Sequence, residues 1–264
     1  MYITSIANQK GGVGKTTTTT NLSYNLSRRK KKVLVIDCDP QGNASQTLSK
    51  VSPFELEKNI GMLFSDGATF SSCAVPCKYE GIHLIPNNLN AGSITLSVDY
   101  NDPMRFIGFR TALERDIDFM KTFDYVLIDC PPQIDSLFLN NALVVSDFYI
   151  IPVEAGSAYA LSGVDALLRV VNKIVAVNPK LKLLGALLTL LDKRTKAGKI
   201  IANSVKAYFQ PENVFKTQIH RNTVIERSNI AGRCICDFDE SALGCRNYRD
   251  LATEFMDRIE SFNG

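Results

Sequence analysis

Histidine is nearly absent from this chain of 264 residues: there are two, His83 and His220. They share no ligand spacing, which removes the usual zinc sites and histidine-centred acid–base constellations from consideration. No CxxC pair occurs among the seven cysteines at 38, 73, 77, 130, 234, 236 and 245. Their number is odd and no secretory signal precedes them, so free thiols in a reducing cytoplasm are expected rather than a disulfide scaffold. Strong net charge is missing too: thirty Lys and Arg against twenty-seven Asp and Glu leave +3. Any nucleic-acid surface must therefore be a local patch. No apolar run approaches the roughly 20 residues of a membrane helix, so a soluble protein is expected. There is neither an internal repeat nor a low-complexity linker, and a first strand starting at residue 2 leaves no place for an N-terminal helix-turn-helix.

What is present is a core-forming composition, 45% hydrophobic and 22% charged, enough for one domain over residues 1–264. Short apolar runs at Tyr2–Ala7, Val33–Ile36, Ile82–Ile85, Tyr125–Ile128, Phe148–Val153 and Leu183–Leu191 alternate with amphipathic stretches. Helices are expected at Lys15–Arg29, Pro103–Lys121, Leu137–Val145, Leu161–Val177, Lys196–Phe209 and Tyr248–Phe262. The alternation predicts an α/β fold, a mainly parallel twisted sheet with helices on both faces. Ser52–Glu80 reads as an irregular insertion beside the sheet.

Between the first strand and first helix lies Asn8-Gln9-Lys10-Gly11-Gly12-Val13-Gly14-Lys15-Thr16-Thr17. Its glycines permit backbone conformations in which successive amides turn onto phosphate oxygens, and the helix N-terminus adds its positive dipole end. This is a P-loop NTPase pattern with residues 11–17 as the cradle, Lys15 reaching the β- and γ-phosphates of ATP and Thr16 a ligand of Mg2+. Gln9 stands where the first glycine of a standard loop belongs, and Lys10 is an additional cation. A second lysine here needs its own target, which a nucleotide bound across a dimer interface would supply.

Two strand ends carry carboxylates. Val33–Ile36 runs into Asp37-Cys38-Asp39, where alternation sends both aspartates to one side, and Tyr125–Ile128 runs into Asp129. All three would meet at the carboxyl edge of the sheet, where open α/β folds bind ligands. Asp129, after four apolar residues, is the expected partner of the Mg2+ water shell.

With KGGVGKTT at 10–17, DCDPQGN at 37–43, LIPNN at 84–88, DYVLIDCPP at 124–132, NAL at 141–143 and Pro152 in IIPV, the chain resembles the ParA/MinD family of deviant Walker ATPases, closest to its short Soj-like ParA branch. The resemblance implies that Lys10 crosses the dimer to the partner's nucleotide, that Asp39 helps activate the attacking water, and that Asp37 and Asp129 support the metal and water network. It further implies an ATP-driven homodimer that binds double-stranded DNA without sequence preference, is discharged by a ParB-like centromere-binding protein, and is cytoplasmic, on the nucleoid when ATP-bound. LDKRTKAG at 191–198 and IHRNTVIERSNIAGR at 219–233 are similar to the DNA-contacting segments of Soj-like proteins and place candidates at Arg194 and Arg221. Within the second segment His220, Val224 and residues 226–229 depart from the family pattern.

Three other readings stay open at this level: a MinD-like ATPase acting on membrane, a nitrogenase-iron-protein-like carrier with a cysteine-held cluster, and an ATPase that positions a protein cargo. The acidic polar face of the last helix argues against anionic lipid. The cysteines lack a cluster-binding context. The run Arg28-Arg29-Lys30-Lys31-Lys32 reads as a solvated turn complementing a helix C-terminus, or as a supplementary DNA patch.

Overall fold

A computed structural model describes residues 1–64, 67–88, 103–156 and 160–262. Seven strands form one sheet in the order β3-β4-β2-β5-β1-β6-β7. They are β1 (Tyr2–Ile6), β2 (Val33–Asp37), β3 (Val75–Pro76), β4 (Ile82–Ile85), β5 (Tyr125–Asp129), β6 (Phe148–Glu154) and β7 (Lys182–Thr189). All neighbours pair parallel except the short edge strand β3, which is antiparallel to β4. The strands are apolar throughout because helices cover both faces. Leu34, Ile36, Val126 and Ile128 pack under α4 (Gly108–Arg115), α6 (Leu137–Val145), α7 (Ser162–Ile174) and α8 (Lys196–Phe209). Val33, Val35 and Leu127 face α1 (Lys15–Ser27) and α11 (Leu243–Ser261), where Leu22, Leu26, Leu251 and Phe255 are buried. The α/β P-loop architecture expected from the alternation is the observed one.

Helix α1 forms from KTTTTTNLSYNLS, a β-branched run with little helix propensity of its own. Tertiary packing compensates: Thr18, Thr19 and Thr20 are buried. The Thr19 and Thr20 hydroxyls donate back to the carbonyls of Lys15 and Thr16.

Several boundaries differ from expectation. The single helix expected over Pro103–Lys121 is a 3-10 turn (Pro103–Ile107), α4 and α5 (Ile117–Met120). Asp116 breaks it, leaving helical geometry at φ −134° while its carboxylate accepts the Ser71 amide at 2.7 Å. The last helix begins at Leu243, five residues early. Gly244 in its first turn is a packing residue, since a Cβ there would lie 2.4 Å from the Ile235 side chain. Three short helices were not legible: α2 (Asn43–Leu48), α9 (Thr223–Ile230) and α10 (Ile235–Phe238). Apart from residues 65–66, which lie outside the described residues, the segment 52–80 consists of 3-10 turns, α3 (Phe70–Cys73) and β3, and it lends Ile60, Leu63 and Phe70 to the core.

The expectation of seven free thiols needs correcting. Cys38, Cys73, Cys77, Cys130 and Cys234 are free and buried, but Cys236 and Cys245 form a disulfide with Cα atoms 4.8 Å apart. The chain reversal between α10 and α11 brings two positions nine residues apart into bonding range, a proximity that spacing alone does not reveal.

Candidate functional site

The carboxyl ends of β1, β5 and β2 lie side by side, with Ile6 in register with Asp129 and Asp129 in register with Asp37. The glycine-rich loop leaves β1 at this edge. Gly12 and Gly14 take φ of +75° and +85°, the left-handed region that glycine enters without strain, and Gly14 caps α1. Three contacts fix the loop. Asn8 donates through Nδ2 to the Pro152 carbonyl at 2.7 Å and accepts the Lys10 amide at 3.0 Å. Thr189 at the end of β7 donates to the Val13 carbonyl at 2.9 Å. Gly163 in α7 lets that helix lie against the loop, because a Cβ would sit 2.7 Å from Asn8 Oδ1 and 3.0 Å from the Lys10 amide.

Above the loop is a cavity of about 420 Å3. Gly11, Gly12, Gly14, Lys15, Thr16 and Thr17 form its floor, and Asp39 and Asn43 one wall. Lys15 is buried and its Nζ donates to the Lys10 carbonyl at 3.0 Å, the position an incoming phosphate oxygen would contest. Burial lowers the Lys15 pKa, with Asp129 opposing the shift.

The three acids divide the work. Asp37 is fully buried and has both oxygens engaged: Oδ1 accepts the Asp39 amide at 3.1 Å, and Oδ2 accepts the Ser45 amide and hydroxyl at 2.8 and 2.7 Å. It ties the Asp39 loop to α2, so its support of a metal network would act through Asp39 rather than by direct ligation. Asp39 is half-buried and faces the cavity. Asp129 is fully buried, accepts the Thr19 hydroxyl at 3.3 Å through Oδ1, and among the described residues leaves Oδ2 without a hydrogen-bond partner. A buried carboxylate oxygen with no donor is an open site for a cation or its water. With the Thr16 hydroxyl, that donor set fits Mg2+.

Burial, then the neighbouring Asp39, pushes the Asp129 carboxyl up to about 7, against the Thr16 and Thr19 hydroxyls and Lys15. Burial and Asp129 raise Asp37 as well. An acid whose folded pKa exceeds its unfolded value holds more protons in the native state between the two, so its contribution to stability falls as pH rises through that window. Here the window runs from about 4 to about 7. In metal-free buffer the thermal midpoint should therefore drop from pH 5 to pH 8. Asp129→Asn should shrink that drop in a scanning-calorimetry series and abolish stabilisation by Mg2+ with ATP.

Lys10 is absent from the walls of this cavity. Its Nζ forms an ion pair with Glu154 Oε2 at 2.7 Å, at the end of β6. Glu154 also faces Arg221 Nη2 at 3.8 Å. Arg194, 90% exposed, pairs with Asp192 at 2.8 Å, and Asp192 is held down to about 2 chiefly by Arg194, with Arg221 contributing. The fold thus gathers both DNA candidates around one rim at the end of β7.

Sequence reasoning missed the far wall of the cavity, which Thr189, Leu190, Ile219, Ile225, Glu226 and Asn229 supply. Asn229 Nδ2 reaches Thr17 Oγ1 at 3.3 Å. Thr189 was findable, because a polar residue closing an apolar strand at this edge is the signal that marked Asp129. Glu154 is marked in the same way.

Cys73, Cys77 and Cys130 are buried, and burial pushes Cys77 and Cys130 up to about 12. Such thiols do not present thiolates at a subunit interface, which disfavours a bridging iron–sulfur cluster. Among the described residues no helix is long and apolar enough to cross a membrane.

A family model described as an AAA domain matches residues 1–183. The sporulation initiation inhibitor protein Soj of Bacillus subtilis is 35% identical over 96% of this chain and 97% of its own length. The chromosome-partitioning ATPase Soj of Thermus thermophilus is 36% identical over 97% and 96%. Among solved structures, cobyrinic acid a,c-diamide synthase from Mycobacterium smegmatis with bound ADP and magnesium superimposes with a TM-score of 0.81 at 28% identity, over 99% of this chain and 96% of that one.

Proposed function

We propose that this chain, which belongs to the ParA/MinD family of P-loop ATPases and is a ParA-like partition ATPase, works as an ATP-dependent sandwich dimer that binds duplex DNA non-specifically and is discharged by a ParB-like partner. One observation carries the dimer reading: Lys10 belongs to the phosphate loop yet does not line its own chain's cavity. Its cation is free to serve a nucleotide only if that nucleotide approaches from outside, as across a two-fold interface.

Residues 11–17 hold the triphosphate through backbone amides, with Lys15 between the β- and γ-phosphates. Thr16, and Asp129 through the water shell, would hold Mg2+, which would supply charge neutralisation at the phosphates. Asp39, on the cavity wall with its amide held by the Asp37 anchor and its Oδ1 accepting the Gln41 amide at 3.0 Å, orients the attacking water. The partner's cation reaches the nucleotide once Lys10 leaves Glu154. In this reading Glu154 retains Lys10 in the monomer and restrains dimerisation without nucleotide.

DNA is the favoured cargo surface. Arg194 and Arg221 share a rim, and a dimer would present two such rims, concentrating positive charge that the +3 chain lacks overall. The apolar residues of α11 support DNA over membrane, because Leu251, Phe255 and Ile259 are spent in the core. Each arginine already holds a carboxylate, Asp192 for Arg194 and Glu154 for Arg221, so phosphate must displace an ion pair, at small cost for the exposed Arg194 pair.

The test is a mobility-shift titration of random duplex with ATP, ADP or no nucleotide, using Asp39→Ala protein so that turnover does not empty the dimer. Binding should require ATP, ignore sequence and weaken steeply with salt. The further change of Arg194 and Arg221 to alanine should abolish it while dimerisation persists. Absence of ATP-dependent binding at low salt would favour a protein cargo instead.

A further inference from the structure

The basic run at 28–32 lies at the opposite end of α1 from the phosphate loop, about 20 Å away for thirteen helical residues. It is not a simple solvated turn. The tip of the β3–β4 hairpin closes over it, with the Gly81 carbonyl accepting the Val33 amide at 2.9 Å. Gly81 is tight against the helix end, since a Cβ would meet Ser27 Cβ at 3.4 Å and the Lys31 carbonyl at 3.5 Å. The result is a cavity of about 700 Å3, larger than the nucleotide cavity, lined by the five cations Arg28, Lys30, Lys31, Lys32 and Lys78 and the single carboxylate Glu80.

Three features separate this cavity from incidental surface charge. Among the described residues none of its five cations has an ion-pair partner. The nearby Asp237 is occupied by Arg233 at 2.8 Å. Second, Lys30 holds φ at +62° in the position where a helix terminus ordinarily carries glycine. A lysine there accepts backbone strain in exchange for a cation at the cavity mouth. Third, the floor is braced from outside the run: Tyr79 accepts the Cys234 amide and donates to Asp237, both at 3.1 Å. Lys78 donates to the Gly232 carbonyl.

The shape selects among anions. Arg29 points away from the cavity, its guanidinium bonded to the carbonyls of Asn25 and Arg249 and to Thr253, so the run is not a continuous stripe for a duplex. Among the described residues the two lining rings, Tyr24 and Tyr79, are already engaged with their neighbours. Lys78 lies over the Tyr79 ring, 5.5 Å from its centroid, and Tyr24 meets that ring in a T-shaped contact. What remains is a concave cluster of ammonium and guanidinium groups, suited to several phosphates close together.

We infer that the cavity between the end of α1 and the β3–β4 hairpin is a second anion site, for a compact oligophosphate read through its phosphates alone. The probe is inorganic tripolyphosphate, titrated calorimetrically at low salt into Lys15→Ala protein, whose nucleotide loop is disabled. One tripolyphosphate per chain should bind, inorganic phosphate should bind at least about tenfold more weakly, and ATP no more tightly than tripolyphosphate. Lys30→Gly combined with Lys31→Gln should weaken tripolyphosphate at least about tenfold. The thermal midpoint should not fall, since glycine suits the Lys30 backbone. Four results would overturn the assignment: no binding, equal binding by the double variant, tenfold tighter binding of ATP, or displacement of tripolyphosphate by random duplex in the absence of ATP.

Discussion

Lys15→Ala protein should fail to bind ATP at concentrations that saturate the wild type, with affinity lowered about a hundredfold or more. Among the described residues Lys15 is the one cation lining the nucleotide cavity. It is buried, with Nζ donating to the Lys10 carbonyl, so a phosphate replaces a neutral acceptor by a charged one. Alanine removes that gain and leaves the triphosphate to backbone amides. ADP lacks the γ-phosphate that Lys15 would reach, so it should lose less than ATP. Equilibrium titration with a fluorescent ATP analogue measures the loss, and unchanged far-ultraviolet circular dichroism checks that the fold persists. Near-wild-type affinity would remove the loop from phosphate binding.

Asp39→Ala should give the opposite phenotype, retaining ATP but slowing hydrolysis by on the order of a hundredfold to ten-thousandfold. Asp39 is on the wall rather than the floor, and its backbone is placed by Asp37, whose oxygens are committed to the Asp39 amide and to Ser45. Removing the Asp39 side chain therefore leaves the loop anchored and deletes the group that orients water. Single-turnover phosphate release separates the cases. Turnover close to wild type would take Asp39 out of the mechanism, and failure to bind ATP would make it structural.

The contrast between these variants follows from features already visible in the sequence. Glycine at 12 and 14, lysine at 15 and threonine at 16 define local geometry that needs no tertiary information, and Asp37 and Asp129 terminate apolar strands whose parallel register puts them side by side. The far wall was hidden because it comes from strand β7 and helix α9, joined to the loop only by folding. In α9 the polar run Glu226-Arg227-Ser228-Asn229 masks the helix. Its Asn222 cap, which accepts the Val224 amide at 2.9 Å, is read only once the loop before it is placed. The Lys10–Glu154 pair depends likewise on contact between distant segments, and the Cys236–Cys245 bond on the chain reversal between α10 and α11. The proposed trans role of Lys10 rests on an excess charge in the sequence and on its place outside its own chain's cavity.

That role is the centre of the account, and the most direct test is the molar mass of Lys10→Ala protein by multi-angle light scattering, with and without Mg2+ and ATP, beside Asp39→Ala as the reference dimer. The expected result is that Asp39→Ala doubles its mass on addition of ATP, while Lys10→Ala binds ATP in a parallel titration yet stays at the mass of one chain and does not hydrolyse. ATP-induced dimers of Lys10→Ala equal in amount to those of the reference would contradict it.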